Sequence, residues 1–309
     1  MSGPEPRAPT EAAADMAAAF EQARPRLKRL AYRMLGSVAE ADDMVQEAYL
    51  RWHRADREAV RDPAAFLART VTRLCLDQLK SARSRRETYL GPWLPEPWIA
   101  AEGEAETSPD DITYHLMFVL ERLSPLERAA FLLHDVFDMD FSEIAGRLDR
   151  SEATCRQLAS RARKHVRSAR PRFPVAPEEG QAIADAFLTA SRGGELERLQ
   201  QLLAEDVVLV SDGGGKRLAV INPLLGRDRT IRFFMGVARK HAPAQPRVLY
   251  RGPIDGLPGI VTLEEDGMPQ ALALDIRDGV IAAIYVIRNP EKLAHLAGLI
   301  GLDEQRSEP

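Results

Sequence analysis

Between Arg150 and Arg172, eight basic residues stand against a single acid, Glu152, in a chain of 309 residues whose formal net charge is only −4. Their spacing sorts them. In "SEATCRQLASRARKHV", Cys155, Leu158 and Ala162 recur at helical intervals, while Arg156, Gln157, Ser160, Arg161, Arg163 and Lys164 fall mainly on the other side. A helix that presents Arg and Gln carries the donors that read base edges, Arg on guanine and Gln on adenine. Arg163, Lys164 and Arg167 are better placed for phosphates. The plainer reading, a solvated basic face, is weakened by what precedes it: a capped helix and a tight turn. A second basic series, Arg69, Arg73, Lys80, Arg83, Arg85 and Arg86, begins beside Phe66. Cations next to an aromatic ring fit a single strand or a melting duplex, because bases stack on rings. In "EADDMVQE" the residues Asp42, Asp43, Gln46 and Glu47 make the opposite kind of face, one that would repel DNA and suit a basic protein partner, although on these residues alone a solvated acidic face is the plainer reading.

Other reactive residue types are sparse. Cys75 and Cys155 are the only cysteines; they lie far apart at apolar helical positions and read as core residues rather than a disulfide or metal pair. His241 and His295 have no carboxylate at a telling spacing, so no acid–base pair for catalysis emerges, and neither a metal nor a cofactor is expected. "SDGGGK" offers consecutive backbone N–H groups, but without the strand–loop–helix setting of a nucleotide-binding loop it reads as a tight hairpin turn with Lys216 at the surface.

The elements that must position these residues follow from pattern. Residues 11–86 read as helices: Leu27, Leu30, Ala31, Met34 and Leu35 share one face, Gly36 ends it, and Asp62-Pro63 starts another helix. "LSPLERAAFLL" opens with Ser124 as cap, Pro125 in the first turn and Glu127 completing a capping box. "DFSEIAGRL", capped at Ser142, then the turn "DRS" and a helix capped near Ser151, make a helix-turn-helix, whose second helix enters the major groove. "RPRFPVAP" marks a boundary. Beyond it a helix ending at Gly193-Gly194 gives way to short β-like runs, among them "DVVLVSD", "RLAVIN", "PRVLYRG", "GIVTLEED", "QALALDIRDG" and "VIAAIYVI", with "RDG" a hairpin signal. This is an α+β unit with a curved antiparallel sheet and helices on one side. One stretch fits neither texture. "YLGPWLPEPW" holds three prolines, which exclude a helix interior, and two tryptophans, which a free linker would not expose to water. It opens an acidic segment, residues 91–111, with six carboxylates and no cation.

Taken together, "LAYRMLGSVAEADDMVQEAYLRW", "FLARTVTRLCLDQLKSARSRR" and the helix-turn-helix segment closely resemble the two-domain bacterial sigma factors of the extracytoplasmic-function class, over about residues 20–170. "WLPEP" (Trp93, Leu94, Pro95, Glu96, Pro97), "DGGGK" (Asp212, Gly213, Gly214, Gly215, Lys216) and "NPEKL" (Asn289, Pro290, Glu291, Lys292, Leu293) are similar to the hallmarks of the group that carries a fused SnoaL-like domain, with Glu291 where the usual motif has Asp. The resemblance implies a multidomain chain: sigma domain 2 over 11–90, the linker over 91–111, sigma domain 4 over 112–172, a SnoaL-like cone-shaped regulatory domain over 177–295 and a tail over 296–309. It implies that Asp42, Asp43, Gln46 and Glu47 face core RNA polymerase. Arg57, Arg61, Phe66, Arg69, Arg73, Lys80 and Arg83 then face the minus-10 promoter strand, and Arg156, Gln157, Ser160, Arg161, Arg163 and Lys164 the minus-35 element. It also implies regulation in cis, with the extra domain replacing a separate anti-sigma factor, and a linker held by docking on a folded domain.

The expected activity is therefore that of an alternative sigma factor, not an enzyme, with core RNA polymerase and promoter DNA as partners and room for an unidentified small ligand in the third domain. A pairing of Glu96 with Lys216 is expected to help hold the linker. A one-component helix-turn-helix regulator with a ligand-sensing domain is the alternative, though it needs neither the acidic patch nor the second basic helix. No apolar run is long enough to span a bilayer and the start is not a signal peptide, so the chain is expected in the cytoplasm, away from membranes.

Overall fold

The computed structural model describes residues 11–55, 60, 62–87, 89–100, 113–166, 175–241 and 246–296. The chain divides into two compact units, one of Met1–Ala82 with Ser124–Ala162, the other of Arg83–Leu123 with Arg163–Pro309.

The first unit is helical: α1 (Glu11–Leu35), α2 (Val38–His53), most of α3 (Pro63–Glu87), α5 (Pro125–Phe131), a π-helical turn (Leu132–Val136), α6 (Phe141–Leu148) and most of α7 (Glu152–Val166); α4 (Tyr114–Leu120) belongs to the second unit. The apolar face of α1 read from the sequence, Leu27, Leu30, Ala31, Met34 and Leu35, is buried, and Gly36 turns the chain at φ +70°. Ser37 caps α2 by accepting from the Glu40 amide at 3.2 Å. Asp62 caps α3 by accepting from the Ala65 amide at 3.0 Å. Gln78 of α3 donates to Glu40 of α2 at 2.7 Å, and the Trp52 indole N–H reaches the Met16 carbonyl at 3.0 Å. Buried Arg128 of α5 donates through Nε to the Arg33 carbonyl at 2.9 Å, and Arg26 of α1 donates to the Phe137 carbonyl at 3.1 Å.

The second unit holds α8 (Pro177–Gly193), α9 (Leu196–Leu202), α10 (Arg227–His241), α11 (Pro290–Leu293) and six strands: β1 (Leu203–Asp212), β2 (Leu224–Leu225), β3 (Arg247–Ile254), β4 (Leu257–Leu263), β5 (Pro269–Arg277) and β6 (Val280–Ile287). They form one sheet in the order β2-β1-β6-β5-β4-β3, the α+β architecture with a curved sheet that the resemblance implied. The β5–β6 hairpin turns at Asp278-Gly279, both at positive φ, as "RDG" predicts. Two details differ from the sequence reading. β1 pairs in parallel with β6, because the intervening α10 and β3–β5 carry the chain across before it returns. "RLAVIN" forms no strand; residues 217–223 are bend and irregular backbone, and only Leu224–Leu225 pairs with β1.

Both faces of this sheet are buried, and this difference matters most. Period-two alternation sends Val207 and Leu209 of β1, with Ile284 and Val286 of β6, into a core shared with α8, α9 and α10. It sends Val210, with Tyr285 and Ile287, into a second core on the other side. That second core is completed by Leu94 of the linker, Tyr114 of α4, and Leu293 and Leu296 at the chain's last described turn. Helices cover one face, as the sequence predicts; the linker and α4 cover the other.

Candidate nucleic-acid face and linker clamp

The capping box of α5 is present: Ser124 Oγ accepts from the Glu127 amide at 3.4 Å, and Glu127 accepts from the Ser124 amide at 3.1 Å. α6 starts at Phe141 with Asp140 in the cap position, two residues before the expected Ser142. Asp149 takes the left-handed conformation at φ 54° and ends α6. Ser151 Oγ then accepts from the Thr154 amide at 3.3 Å to start α7. Cys155, Ala159, Ala162 and Val166 are buried, so Arg156, Gln157, Ser160, Arg161 and Lys164 are exposed, with Leu158 and Arg163 half-buried. Arg156 donates to Glu152 at 2.5 Å and lies over the Phe141 ring at 5.5 Å, which orients its guanidinium while leaving it in water. Arg167 lies outside the described residues.

In the first unit Asp42, Asp43 and Gln46 are exposed and Glu47 is half-buried, on one side of α2. Asp42 pairs with Lys28 at 2.8 Å and Glu47 with Arg51 at 2.8 Å, both pairs being open to solvent. Arg69, Arg73 and Lys80 are exposed along α3. Phe66 is half-buried, its ring tilted 5.6 Å from that of Trp52, so packing already occupies part of the proposed stacking surface. Arg57, Arg61 and the Arg83 side chain, with Arg85 and Arg86, lie outside the described residues.

The three motifs of the linker and third domain meet at one carboxylate. Asp212 ends β1 and is fully buried. Its Oδ1 accepts from the Tyr89 hydroxyl at 2.6 Å and the Gly214 amide at 3.0 Å. Its Oδ2 accepts from the Leu94 amide at 2.9 Å and from Lys292 Nζ at 2.7 Å. Lys292 also donates to the Leu94 carbonyl and sits 3.6 Å from the centroid of the Trp93 ring, a cation over an aromatic face. Asn289 donates to the Tyr89 oxygen at 2.9 Å and caps α11 through the Glu291 amide at 3.1 Å. Burial pushes the Lys292 ammonium down to about 8 against the pull of Asp212. Burial, reinforced by the Asp212 carboxylate, pushes the Tyr89 phenol up.

Further along, Pro95 and Pro97 are buried, and their carbonyls accept from the Tyr114 hydroxyl at 2.6 Å and from His295 Nε2 at 2.8 Å. The Trp98 amide donates to Asp255 Oδ2 at 3.0 Å, and the Asp255 amide returns a bond to the Trp98 carbonyl at 2.9 Å. On α4, His115 bonds the Tyr285 hydroxyl and lies 3.6 Å from Asp275. The expected Glu96–Lys216 pair is not formed. Lys216 pairs with Glu291 instead, because the glycine turn brings it to the start of α11, whereas Glu96 stands 4.0 Å from His295. Tyr89, Tyr114 and Asp255 carry much of the clamp and were not singled out from sequence. Asp255-Gly256 did offer a turn signal, and both residues have positive φ.

Comparison with known proteins places these features. The Sigma-70 region 2 family matches residues 19–85, and the family described as Sigma-70, region 4 matches residues 116–166. The chain is 38% identical to the ECF RNA polymerase sigma factor SigJ of Mycobacterium tuberculosis, over 94% of this chain and 96% of that one. It is 33% identical to the probable ECF RNA polymerase sigma factor SigI of the same species, over 93% and 97%. The crystal structure of M. tuberculosis SigJ superposes with a TM-score of 0.73 at 35% identity, covering 90% of this chain and 98% of that one. No described helix is long and apolar enough to cross a membrane. With both sigma-70 regions in order and near full-length similarity to such factors, the chain belongs to the extracytoplasmic-function RNA polymerase sigma factors, alternative sigma factors that direct the polymerase to promoters.

Proposed function

We propose that this sigma factor is regulated in cis, and that the docked linker is the regulated contact. In this reading α7 meets the minus-35 element through Arg156, Gln157, Ser160 and Arg161, with Arg163 and Lys164 toward phosphates. Phe66, Arg69, Arg73 and Lys80 of α3 serve the minus-10 strand, together with Arg57, Arg61 and Arg83. Asp42, Asp43, Gln46 and Glu47 meet core polymerase in the cytoplasm. The observation that carries the regulatory part is the buried Asp212–Lys292 pair. It is not a free-standing pair of the third domain, since two of the four donors to Asp212 and one acceptor of Lys292 come from Leu94 of the linker and from Tyr89 just before it. Undocking the linker leaves a buried ion pair short of partners, and such sites behave as two-state elements rather than gradual ones.

The third domain acts in this reading as a regulatory module rather than an enzyme, and no separate anti-sigma factor is required. Two of its acids are committed to ion pairs, Glu264 with Arg192 and Asp266 with Arg217. The decisive experiment is run-off transcription with core polymerase for wild type, Trp93→Ala and Lys292→Met, beside affinity for an isolated minus-35 duplex. Transcription is expected to change in both variants while duplex affinity stays constant. Unchanged transcription in both would make the linker a passive spacer.

A further inference from the structure

On the side of the sheet away from the linker, a cavity of about 650 Å³ opens between α8, α10 and strands β1, β5 and β6, within the size range of small-molecule sites. Its walls are apolar where they meet the core: Phe187, Leu209, Phe234, Leu272 and Val286. Its rim is cationic. Arg192, Arg217, Arg232, Lys240 and Arg288 line it, against Glu264, Glu265 and Asp266, so cations exceed carboxylates.

The cations are not equivalent. Arg192 donates to both oxygens of Glu264, at 2.7 and 2.8 Å. Arg217 donates to Asp266 at 2.5 Å and to the Pro269 carbonyl at 2.9 Å. Arg288 forms no ion pair among the described residues. Its Nη1 donates to the Leu218 carbonyl at 2.5 Å, while its Nε is buried without a hydrogen-bond partner. That Nε is sealed from solvent, so it is the rest of the guanidinium, which lines the cavity without a paired carboxylate among the described residues, that a ligand carboxylate or sulfonate would meet with a charge-assisted bond. Burial, with Arg217 nearby, already pushes this guanidinium down from its ordinary range, the direction a bound anion would reverse.

We propose that this cavity binds a small amphipathic organic anion, a carboxylate or sulfonate on an apolar body, with the anionic group held by Arg288 and the body against Phe187, Leu209 and Phe234. Leu209 and Ser211 face the cavity from β1, and the next residue, Asp212, holds the linker on the other side. Occupancy would thus reach the clamp through one strand end; that consequence rests on the regulatory reading above, whereas binding itself does not.

The test uses the full chain and two probes that share one aromatic frame. One, 8-anilinonaphthalene-1-sulfonate, is anionic; the other, N-phenyl-1-naphthylamine, is neutral. The anionic probe should bind one site per chain roughly tenfold or more tighter than the neutral one, and decanoate should displace it while 1-decanol does not. Arg288→Met should weaken the anionic probe roughly tenfold or more and leave the neutral one unchanged. Leu209→Trp, which fills the cavity, should weaken both. Equal affinity for the two probes, displacement by decanol as effective as by decanoate, or indifference of the anionic probe to Leu209→Trp would each overturn the proposal. Should Arg288→Met fail to fold by near-ultraviolet circular dichroism, the wild-type comparisons decide alone.

Discussion

Lys292 and Asp212 show how two members of one ion pair differ in what their loss exposes. Asp212 has four donors, so Lys292→Met leaves the carboxylate with the Tyr89 hydroxyl and the Leu94 and Gly214 amides; the expected cost is about 1–2 kcal/mol. Asp212→Ala strands a buried ammonium and three donors at once, and about 3–5 kcal/mol is expected. Urea unfolding should rank Asp212→Ala well below Lys292→Met, and the reverse order would mean that Lys292 is not charged in the folded protein. The pH dependence follows from the same residue. Its folded value is about 8 against an ordinary 10.5, so between those values the unfolded chain holds a proton that the folded chain has released. Stability attributable to this group therefore rises from pH 8 to 10.5, and below pH 8 the cost of burying the charge is fully present. Wild type should gain on Lys292→Met as pH rises through that window. A parallel pH profile for the two proteins would remove Lys292 as the titrating group. At the recognition helix a residue acts through DNA rather than through packing. Arg161 is exposed and touches no core, so Arg161→Ala should weaken binding to a cognate minus-35 duplex by about 1–3 kcal/mol and relax preference at one position. Anisotropy titrations showing equal losses on cognate and scrambled duplexes would take it out of the base-reading set.

The elements divide into those whose cause is local and those whose cause is distant. The helix-turn-helix was legible from sequence because its determinants lie within a few residues of one another: the Ser124–Glu127 box, the turn at Asp149 and the alternation of Cys155 and Ala162 with Arg156 and Arg161. The β5–β6 hairpin was legible for the same reason. The linker's partners were not. Leu94 meets Asp212 across 118 positions and Lys292 across 198, and nothing local in "PWLPEP" says which sheet face it covers. Motif resemblance brought "DGGGK" and "NPEKL" to attention, but Lys216 drew it as the more exposed and familiar cation, while the buried partner is Lys292. "RLAVIN" misled because alternating apolar residues signal a strand only where a neighbouring edge can pair with them. The glycine turn itself has a local cause that can be tested. A side chain at Gly213 would put its Cβ 2.1 Å from the Arg217 carbonyl oxygen, and one at Gly214, at φ +61°, 2.3 Å from Asn289 Nδ2. At Gly215, φ is +70° but the nearest atoms, in Leu90, are at 3.5 Å. Gly213→Ala and Gly214→Ala should therefore cost several kcal/mol by forcing backbone or cap to move, whereas Gly215→Ala should cost only the strain of positive φ, about 1–2 kcal/mol. Equal melting temperatures for all three would show that the turn is free to relax.

For the whole molecule the question is reach. The minus-10 and minus-35 elements lie about 25 base pairs apart, about 85 Å along B-form DNA. Residues 88–113 join α3 to α4, and an extended chain covers about 3.3–3.6 Å per residue, so a wholly free linker would tolerate a wide range of separations. Docking removes most of that freedom. Tyr89 to Trp98 are fixed on the sheet by the contacts of Asp212, Tyr114 and Asp255, and because Trp98 and Tyr114 both bond to Asp255, with the Tyr114 amide on its carbonyl at 2.9 Å, residues 99–113 add no reach between the docked linker and α4. If the docked linker is present during promoter recognition, transcription should be tuned sharply to one spacing between the two elements. Lys292→Met and Trp93→Ala shift the population toward the undocked linker, and so should broaden the optimum: relative yield on promoters with one or two base pairs added or removed should rise, even where yield at the optimum falls. Reversing charge at Asp42 and Asp43 serves as the contrast, because loss of the proposed polymerase contact should lower yield on every spacing alike. Small-angle scattering on the same proteins should show a larger radius of gyration for the two clamp variants than for wild type. Spacer profiles that superpose for wild type and both variants, with unchanged scattering, would sink the proposal that the linker clamp sets the reach of this sigma factor.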